Sequence, residues 1–338
     1  MFLLAKGSLG LRAMSMIKES FNILSYKKLT NVFKRVLAIT FITEAIGALL
    51  SFLVLVQDFP PLSALGISIF HSVSSFNNAG FDIFGAGQSL YAYRTDVFFN
   101  IVTALLIIIG GIGYLVIIDI IDTRSFKKLR LHTKAVLTTT AFLIVFGTVA
   151  IKLTNNIPWL GAFFSSVSTR TAGFASYPFS EFSNAGLFIC IMLMIIGASP
   201  GSTGGGIKTT TVFTVFCTLR SVVLNRRTVA FRRTLAQELI IKAFVIMFLA
   251  MGVTAFTTVF LCISEPNNSF LQNLFEAASA YGTVGLSTGI TATLSSAGKI
   301  IIILTMFTGR IGAFALAALW AFKTTQTAVY TEESIAIG

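Results

Sequence analysis

The sequence predicts an all-α, polytopic membrane protein, and three observations predict it. Of 338 residues, 55% are hydrophobic and only 11% are charged, with a mean hydropathy of +0.85. A soluble domain carries about 25% charged residues, so this chain lacks the charge to coat a water-facing surface. Apolar runs of bilayer length recur along it, and its basic residues collect between those runs. Composition alone therefore excludes a soluble enzyme, a disordered tail and a disulfide scaffold. The three cysteines, Cys190, Cys217 and Cys262, all lie in apolar runs and read as buried free thiols.

A bilayer core needs about 20 apolar residues of helix. Full spans are expected at Val36–Val56, Val97–Ile118, Ala135–Leu153, Leu239–Ile263 and Gly298–Ala321. A sixth apolar region runs from Asn184 to Leu224 and is interrupted by Ser199-Pro200-Gly201-Ser202-Thr203-Gly204-Gly205-Gly206. As one helix it would be about 60 Å long, twice the core thickness, and Pro with this density of Gly breaks helices. It reads as a broken span whose irregular segment lies inside the membrane, which is tolerated only where protein or a wet cavity surrounds it. Ser63–Phe76, Trp159–Ser168 and Phe270–Tyr281 are apolar but too short to cross. They read as re-entrant helices.

The basic residues orient these six spans. Lys6, Arg12, Lys18, Lys27, Lys28, Lys34 and Arg35 form one cluster. Arg124, Lys127, Lys128, Arg130 and Lys134 form a second, and Arg220, Arg226, Arg227, Arg232 and Arg233 a third. Together they hold 17 of the 25 Lys and Arg. Six spans put all three clusters on one side, the cytoplasm by the positive-inside rule, with both termini there and all three re-entrant segments opposite. The net charge of +12 is thereby explained by topology, and no nucleic-acid partner is expected.

The re-entrant segments repeat. Phe70–Phe81, Phe163–Phe174 and Phe275–Leu286 align so that a Phe stands ten residues before a Gly, with Ala or Val directly before that Gly and Asn or Thr two before it. Each unit is span, short helix, Gly-centred loop, span, so all units share one orientation and arrange around an axis along the membrane normal. Equivalent loops on that axis would present a ring of backbone carbonyls, which is how a pore replaces the hydration shell of a cation. Small residues in membrane segments are otherwise ordinary packing contacts; three copies in register favour the pore.

These motifs carry a resemblance. Thr283-Val284-Gly285-Leu286 is similar to the Thr-Val-Gly-Tyr core of potassium-channel filters. With Ser75–Phe81, Ser168–Phe174, Gly282–Gly289 and Phe307-Thr308-Gly309-Arg310-Ile311-Gly312, the chain resembles the Trk/Ktr/HKT superfamily of potassium transporters, most closely its KtrB-like membrane subunits. The resemblance implies a four-unit pore-loop fold, of which three span–pore-helix–span units are visible here. They are 36–123, 124–233 with the broken second span, and 234–323, between a cytoplasmic link at 1–35 and a tail at 324–338. Gly7–Lys28 resembles the link after the family's first unit and Met1–Leu4 the end of that unit, so the first of the four units is expected to be absent.

The resemblance further implies potassium uptake across the plasma (inner) membrane by a homodimer with a cytosolic KtrA/TrkA-like nucleotide-binding subunit, and no catalysis. Ions would bind the filter backbone at Asn78, Ala79, Gly80, Thr171, Ala172, Gly173, Thr283, Val284 and Gly285, with K⁺ (or Na⁺) the only ion held and no other cofactor. A gate would form from Gly201, Gly204, Gly205, Gly206, Lys208 and Arg310; the alternative for the broken segment is a static kink. A Na⁺ or mixed Na⁺/K⁺ secondary transporter and a nonconducting fragment remain as alternatives.

Isolated charges are read against plainer roles. Arg310 lies mid-span, where an Arg costs about 2.5–3.5 kcal/mol to insert, so it faces the pore or pairs with Glu44 or Asp119. Arg170 pairs with Glu276 or another outer acid, or snorkels to water. Lys208 steadies the broken segment or snorkels. Lys208-Thr209 after the glycines lacks the phosphate-loop spacing, because Ile207 intervenes. His71, on a re-entrant helix, and His132, in a basic loop, show no zinc-ligand spacing.

Overall fold

The computed structural model describes residues 26–85 and 89–312, and these are almost wholly helical. The link before residue 26, the tail at 324–338 and the last span beyond residue 312 lie outside the described residues. Eleven α-helices follow in order: α1 Tyr26–Leu55, α2 Pro61–Phe76, α3 Val97–Ile112, α4 Tyr114–Thr123, α5 Leu131–Thr154, α6 Trp159–Ser168, α7 Asn184–Ile195, α8 Thr209–Val223, α9 Gln237–Ser264, α10 Phe270–Gly282 and α11 Ser296–Ile311. Local chemistry sets their starts. Pro61 opens α2, where its missing N–H costs nothing. Asp96, Ser183 and Ser295 cap α3, α7 and α11 by accepting from the amides of Phe99, Gly186 and Gly298. Ser269 and Gln272 form a capping box on α10.

Among the described residues, three helices are long and apolar enough to cross a membrane: Val32–Leu55, Leu131–Thr154 and Gln237–Ser264. They carry large apolar side chains on their outer faces, including Phe41, Phe142 and Phe248 at 67%, 64% and 77% exposure. Such faces suit lipid rather than water. α7 and α8 are apolar but shorter.

Four expectations need correction. The span expected at Val97–Ile118 is not one helix: α3 and α4 meet at 95° at Gly113, whose φ of 92° and ψ of 141° suit only glycine. The chain is already helical at Tyr26, the first described residue, inside the stretch expected to be a link. His132 is the second residue of α5 rather than part of a loop. A two-stranded antiparallel hairpin, β1 Val229–Ala230 with β2 Arg233–Thr234, occupies the third basic cluster, where no strand was expected. The cysteines are free, and Cys190 is buried while Cys217 and Cys262 are partly exposed.

Packing repeats along the chain. Each long helix packs on the short helix that follows it: α1 on α2, α5 on α6, α9 on α10. Contacts between repeats also run in one sense, α3 against α6 and α7 against α10. Glycines set the close approaches. A β-carbon on Gly47 of α1 would collide with Ser72 Oγ, and one on Gly147 of α5 with Ser166 Oγ. Those two hydroxyls donate across the same contacts to the carbonyls of Glu44 (2.7 Å) and Ile144 (3.0 Å). Two apolar cores join the repeats. One brings Phe99 and Ile107 against Phe164, Ala172 and Phe174; the other brings Leu187 and Met194 against Phe275, Val284 and Leu286. The bent arm α4 is tied down by Arg35 of α1 on Asp122 (2.9 and 2.5 Å) and by Thr133 Oγ1 of α5 on Asp119 (2.6 Å).

Gly110 of α3 sits where a β-carbon would run into the Phe76 carbonyl, and Gly309 of α11 where one would run into the Tyr281 carbonyl. Alanine at either position is expected to destabilise the fold by about 1–3 kcal/mol through overpacking. Gly66→Ala, where an added β-carbon meets nothing within 4 Å, is expected to leave stability unchanged or raise it. Thermal unfolding of the three variants in detergent checks this.

Candidate functional site

The C-terminal ends of α2, α6 and α10 converge, and three loops continue from them. In each loop the Gly and the residue two before it have positive φ: Asn78 51° and Gly80 71°, Thr171 76° and Gly173 87°, Thr283 52° and Gly285 88°. Asn tolerates this conformation, whereas a β-branched Thr adopts it only under constraint. The constraint at two loops is a Schellman closure. Ala79 N donates to Ser74 O (2.9 Å) and Asn78 N to Ser75 O (3.2 Å); Val284 N donates to Ser279 O (2.9 Å) and Thr283 N to Ala280 O (3.1 Å). In the middle loop Ala172 N and Gly173 N both donate to Ser168 O.

The three glycines meet. A β-carbon on Gly80 would collide with the backbone at Ala172–Gly173. One on Gly173 would collide with the Val284 carbonyl and lie 3.2 Å from Gly80 Cα, and one on Gly285 would lie 4.0 Å from Gly173 Cα. All three line a cavity of about 310 Å³, together with Asp82, Ser287 and Thr288. Three helix C-termini end here, and each carries the partial negative charge of its helix dipole. The site is therefore electrostatically suited to a cation.

The broken segment lies against the residues that precede those glycines. Helix α7 stops at Ile195 and α8 starts at Thr209, so the break is wider than Ser199–Gly206. Ile196 and Ile207 form a parallel bridge that closes its neck. A β-carbon on Gly204 would collide with Thr171 Oγ1 and one on Gly205 with Thr283 Oγ1. Thr203 is held from several sides. Its N–H donates to Gly110 O (3.3 Å), and its hydroxyl reaches Phe76 O (3.3 Å) and Asn78 Oδ1 (3.2 Å). Its carbonyl accepts from Arg310 Nη1 (2.8 Å). Asn78 Nδ2 in turn donates to Thr171 Oγ1 (3.4 Å). Lys208 Nζ donates to Gly204 O (2.8 Å). Gly201 carries φ 69° with open space around it and accepts from Tyr114 N (3.1 Å), the first amide of α4. Gly206 has φ 67°.

The chain matches the TrkH family, described as "Cation transport protein", over residues 1–330. It belongs to that family. It is 33% identical to the potassium/sodium uptake protein NtpJ of Enterococcus hirae, covering 100% of this chain and 78% of that relative. It is 37% identical to the Ktr system potassium uptake protein B of Bacillus subtilis, covering 90% and 71%. The solved structure of the potassium transporter TrkH from Vibrio parahaemolyticus matches its fold, with a TM-score of 0.70 at 17% identity, over 88% of this chain and 65% of that one.

Within this TrkH-family chain, the isolated charges find specific places. Arg310 pairs with neither Glu44 nor Asp119. Glu44 accepts from Asn77 Nδ2 (2.8 Å), and Asp119 from Thr133 Oγ1 and the Arg130 amide. Glu276 bonds Ser287, Thr288 and Thr291 rather than Arg170. Arg170 does not snorkel: it is 7% exposed and lines a narrow cleft beside Thr140. Its Nε is buried without a hydrogen-bond partner among the described residues.

The sequence reading did not single out Thr203, nor the glycines Gly110 and Gly113. A signal existed for the glycines. Gly110-Gly111-Ile112-Gly113 and Gly309-Arg310-Ile311-Gly312 share a Gly-x-Ile-Gly pattern, and Gly113 and Gly312 both have φ 92°. Thr203 becomes visible only once the broken segment and the first loop are seen together.

Asn78→Ala and Thr203→Val are expected to be non-additive in thermal stability, with a coupling of about 0.5 kcal/mol or more. A double-mutant cycle on the purified protein measures it; strict additivity would mean the two side chains do not act together.

Proposed function

We propose that this TrkH-family chain is the translocating subunit of a potassium uptake system in the plasma (inner) membrane. The observation that carries the reading is the meeting of Gly80, Gly173 and Gly285 at three helix C-termini, in a family of cation transport proteins whose relatives are named for potassium uptake. K⁺ sheds water onto the carbonyls of Asn78–Gly80, Thr171–Gly173 and Thr283–Gly285. The inside-negative potential drives it inward at about 2.3 kcal/mol per charge per 100 mV. The repeats at 36–123, 124–233 and 234–323 act as pore-loop units, with α2, α6 and α10 as re-entrant pore helices and six spans, of which the one at 184–224 is broken and the one at 97–118 bends at Gly113. Both termini are cytoplasmic.

The segment 196–208 is the gate in this reading. It lies across the inner face of the filter loops, and Arg310 and Lys208 hold its carbonyls there. Its bond to the first amide of α4 gives a surface arm through which a cytosolic nucleotide-binding subunit of a homodimeric complex moves it. The name of the Enterococcus hirae relative, which includes sodium, favours a second reading in which Na⁺ also passes.

Potassium and sodium flux into proteoliposomes tests the filter. Gly285→Ser is expected to cut K⁺ flux or admit Na⁺, because it forces a side chain onto a φ of 88°; unchanged flux and selectivity would remove Gly285 from the filter. Arg310→Gln weakens the hold on Thr203 and is expected to raise K⁺ flux several-fold in the absence of any partner subunit. A fall in flux in folded protein would contradict the latch role.

A further inference from the structure

The position nine residues before each loop glycine is occupied by His71, Phe164 and Glu276. The first two brace their surroundings through rings. His71 packs among Phe84, Phe99 and Phe174, with ring centroids 5.7, 4.8 and 5.3 Å away. Phe164 is fully buried in the same core as Phe174. Glu276 does something different. It is 4% exposed, and its Oε1 accepts from Ser287 Oγ and from Thr288 N (3.3 Å), while Oε2 accepts from Thr291 Oγ1 (2.8 Å). Among the described residues it has no cationic partner, so three neutral donors satisfy a buried carboxylate.

Those donors form the turn that follows Gly285. Ser287 and Thr288 line the 310 Å³ cavity beside it. In the other two repeats the far side of the glycine is fixed by a serine of the short helix: Ser74 Oγ donates to Phe81 O (2.7 Å) and Ser168 Oγ to Phe174 O. No side chain among the described residues donates to the carbonyl of Leu286, the counterpart of Phe81 and Phe174. The carboxylate of Glu276 takes over that task from three bonds further along the chain.

We propose that Glu276 is a positioning residue for ion selectivity: by clamping the turn Ser287–Thr291 it fixes the left-handed backbone of Gly285, and with it discrimination between K⁺ and Na⁺. The inference rests on the filter reading above. Truncation of a buried acceptor leaves its donors unpaired, so the turn loosens where an ion must be held within a fraction of an ångström.

Ion-dependent thermal stabilisation of the full chain in detergent tests this without requiring conduction, because an ion that binds only folded protein raises Tm with its concentration. The readout is the ratio of Na⁺ to K⁺ concentrations giving half-maximal stabilisation. Glu276→Gln is expected to lower that ratio at least fivefold. Ser287→Ala with Thr291→Val, which keeps the carboxylate but removes two donors, is expected to do the same, and Glu276→Asp to lower it less. The double variant carries the test if Glu276→Gln does not fold. Gly285→Ser is measured alongside. A wild-type ratio in the Glu276 and turn variants, with a changed ratio in Gly285→Ser, overturns the clamp and leaves the filter standing. No K⁺ preference in the parent protein, or none lost in Gly285→Ser, overturns the filter reading and the clamp with it.

Discussion

The architecture depends on one steric constraint: three backbone loops approach so closely at Gly80, Gly173 and Gly285 that a β-carbon on the first two would collide with a neighbouring loop. Three chain segments from separate repeats reach one point only if their helices aim there. The one-sense contacts of α3 on α6 and α7 on α10 do that aiming. The left-handed residues ahead of the glycines carry strain. A non-glycine residue in that region costs about 1–2 kcal/mol, and Thr171 and Thr283 are both β-branched. Closure of the helix ends onto Ser168, Ser279 and Ala280 offsets it.

The segment 196–208 is irregular yet lies between apolar helices, so its backbone groups must find partners. Several do, and mostly outside the segment. Ser199 N donates to Gly111 O, Thr203 N to Gly110 O, Ile207 N to Ile195 O and Ala198 N to Gly205 O. Two partners come from the end of α3, which explains why that helix carries two adjacent glycines and then turns sharply at Gly113. A β-carbon there would lie 2.6 Å from the Pro200 carbonyl. Helix break and irregular segment are thus two halves of one joint, made by different repeats.

Much of this was legible in the sequence. The short helices at Trp159–Ser168 and Phe270–Gly282 lie within a residue of where hydropathy put them, because Pro and Ser caps and terminal glycines mark their ends. The register of the three glycine loops was legible for the same reason: a fixed ten-residue spacing survives in all copies. What was not legible is side-chain partnership across repeats. The reading of Arg310 left a carboxylate partner open, since charge pairing is the commonest way to bury a guanidinium. A backbone carbonyl of a broken segment serves instead, and only the fold brings Thr203 to it. The turn at Gly113 was missed because hydropathy runs unbroken from Val97 to Ile118, and apolar character says nothing about direction. The helical character of residues 26–35 was missed because basic residues there suggested a link, although Lys and Arg are good helix formers.

The repeats share a frame but divide its tasks. Among the described residues the irregular segment belongs to the middle repeat, and the Arg310 that holds it belongs to the last. Among the described residues neither Arg310 nor Lys208 forms an ion pair; each is bound to a carbonyl of the segment. Hydrogen bonds to charged groups contribute about 1.5–3 kcal/mol each, so withdrawing the segment from beneath the three loops means breaking two of them and the Thr203–Asn78 contact together. Thermal motion alone rarely supplies several kcal/mol at one place. Among the hydrogen bonds that tie the segment to its surroundings, one comes from the amide of Tyr114 at the head of α4, which donates to Gly201 O (3.1 Å). That arm turns through 95° and is anchored at its far end by Arg35 on Asp122. The Tyr114 bond ends at Gly201, where φ is 69° and an added β-carbon would meet nothing within 4 Å. The arm is thus attached at the one glycine among those of the segment with open space around it.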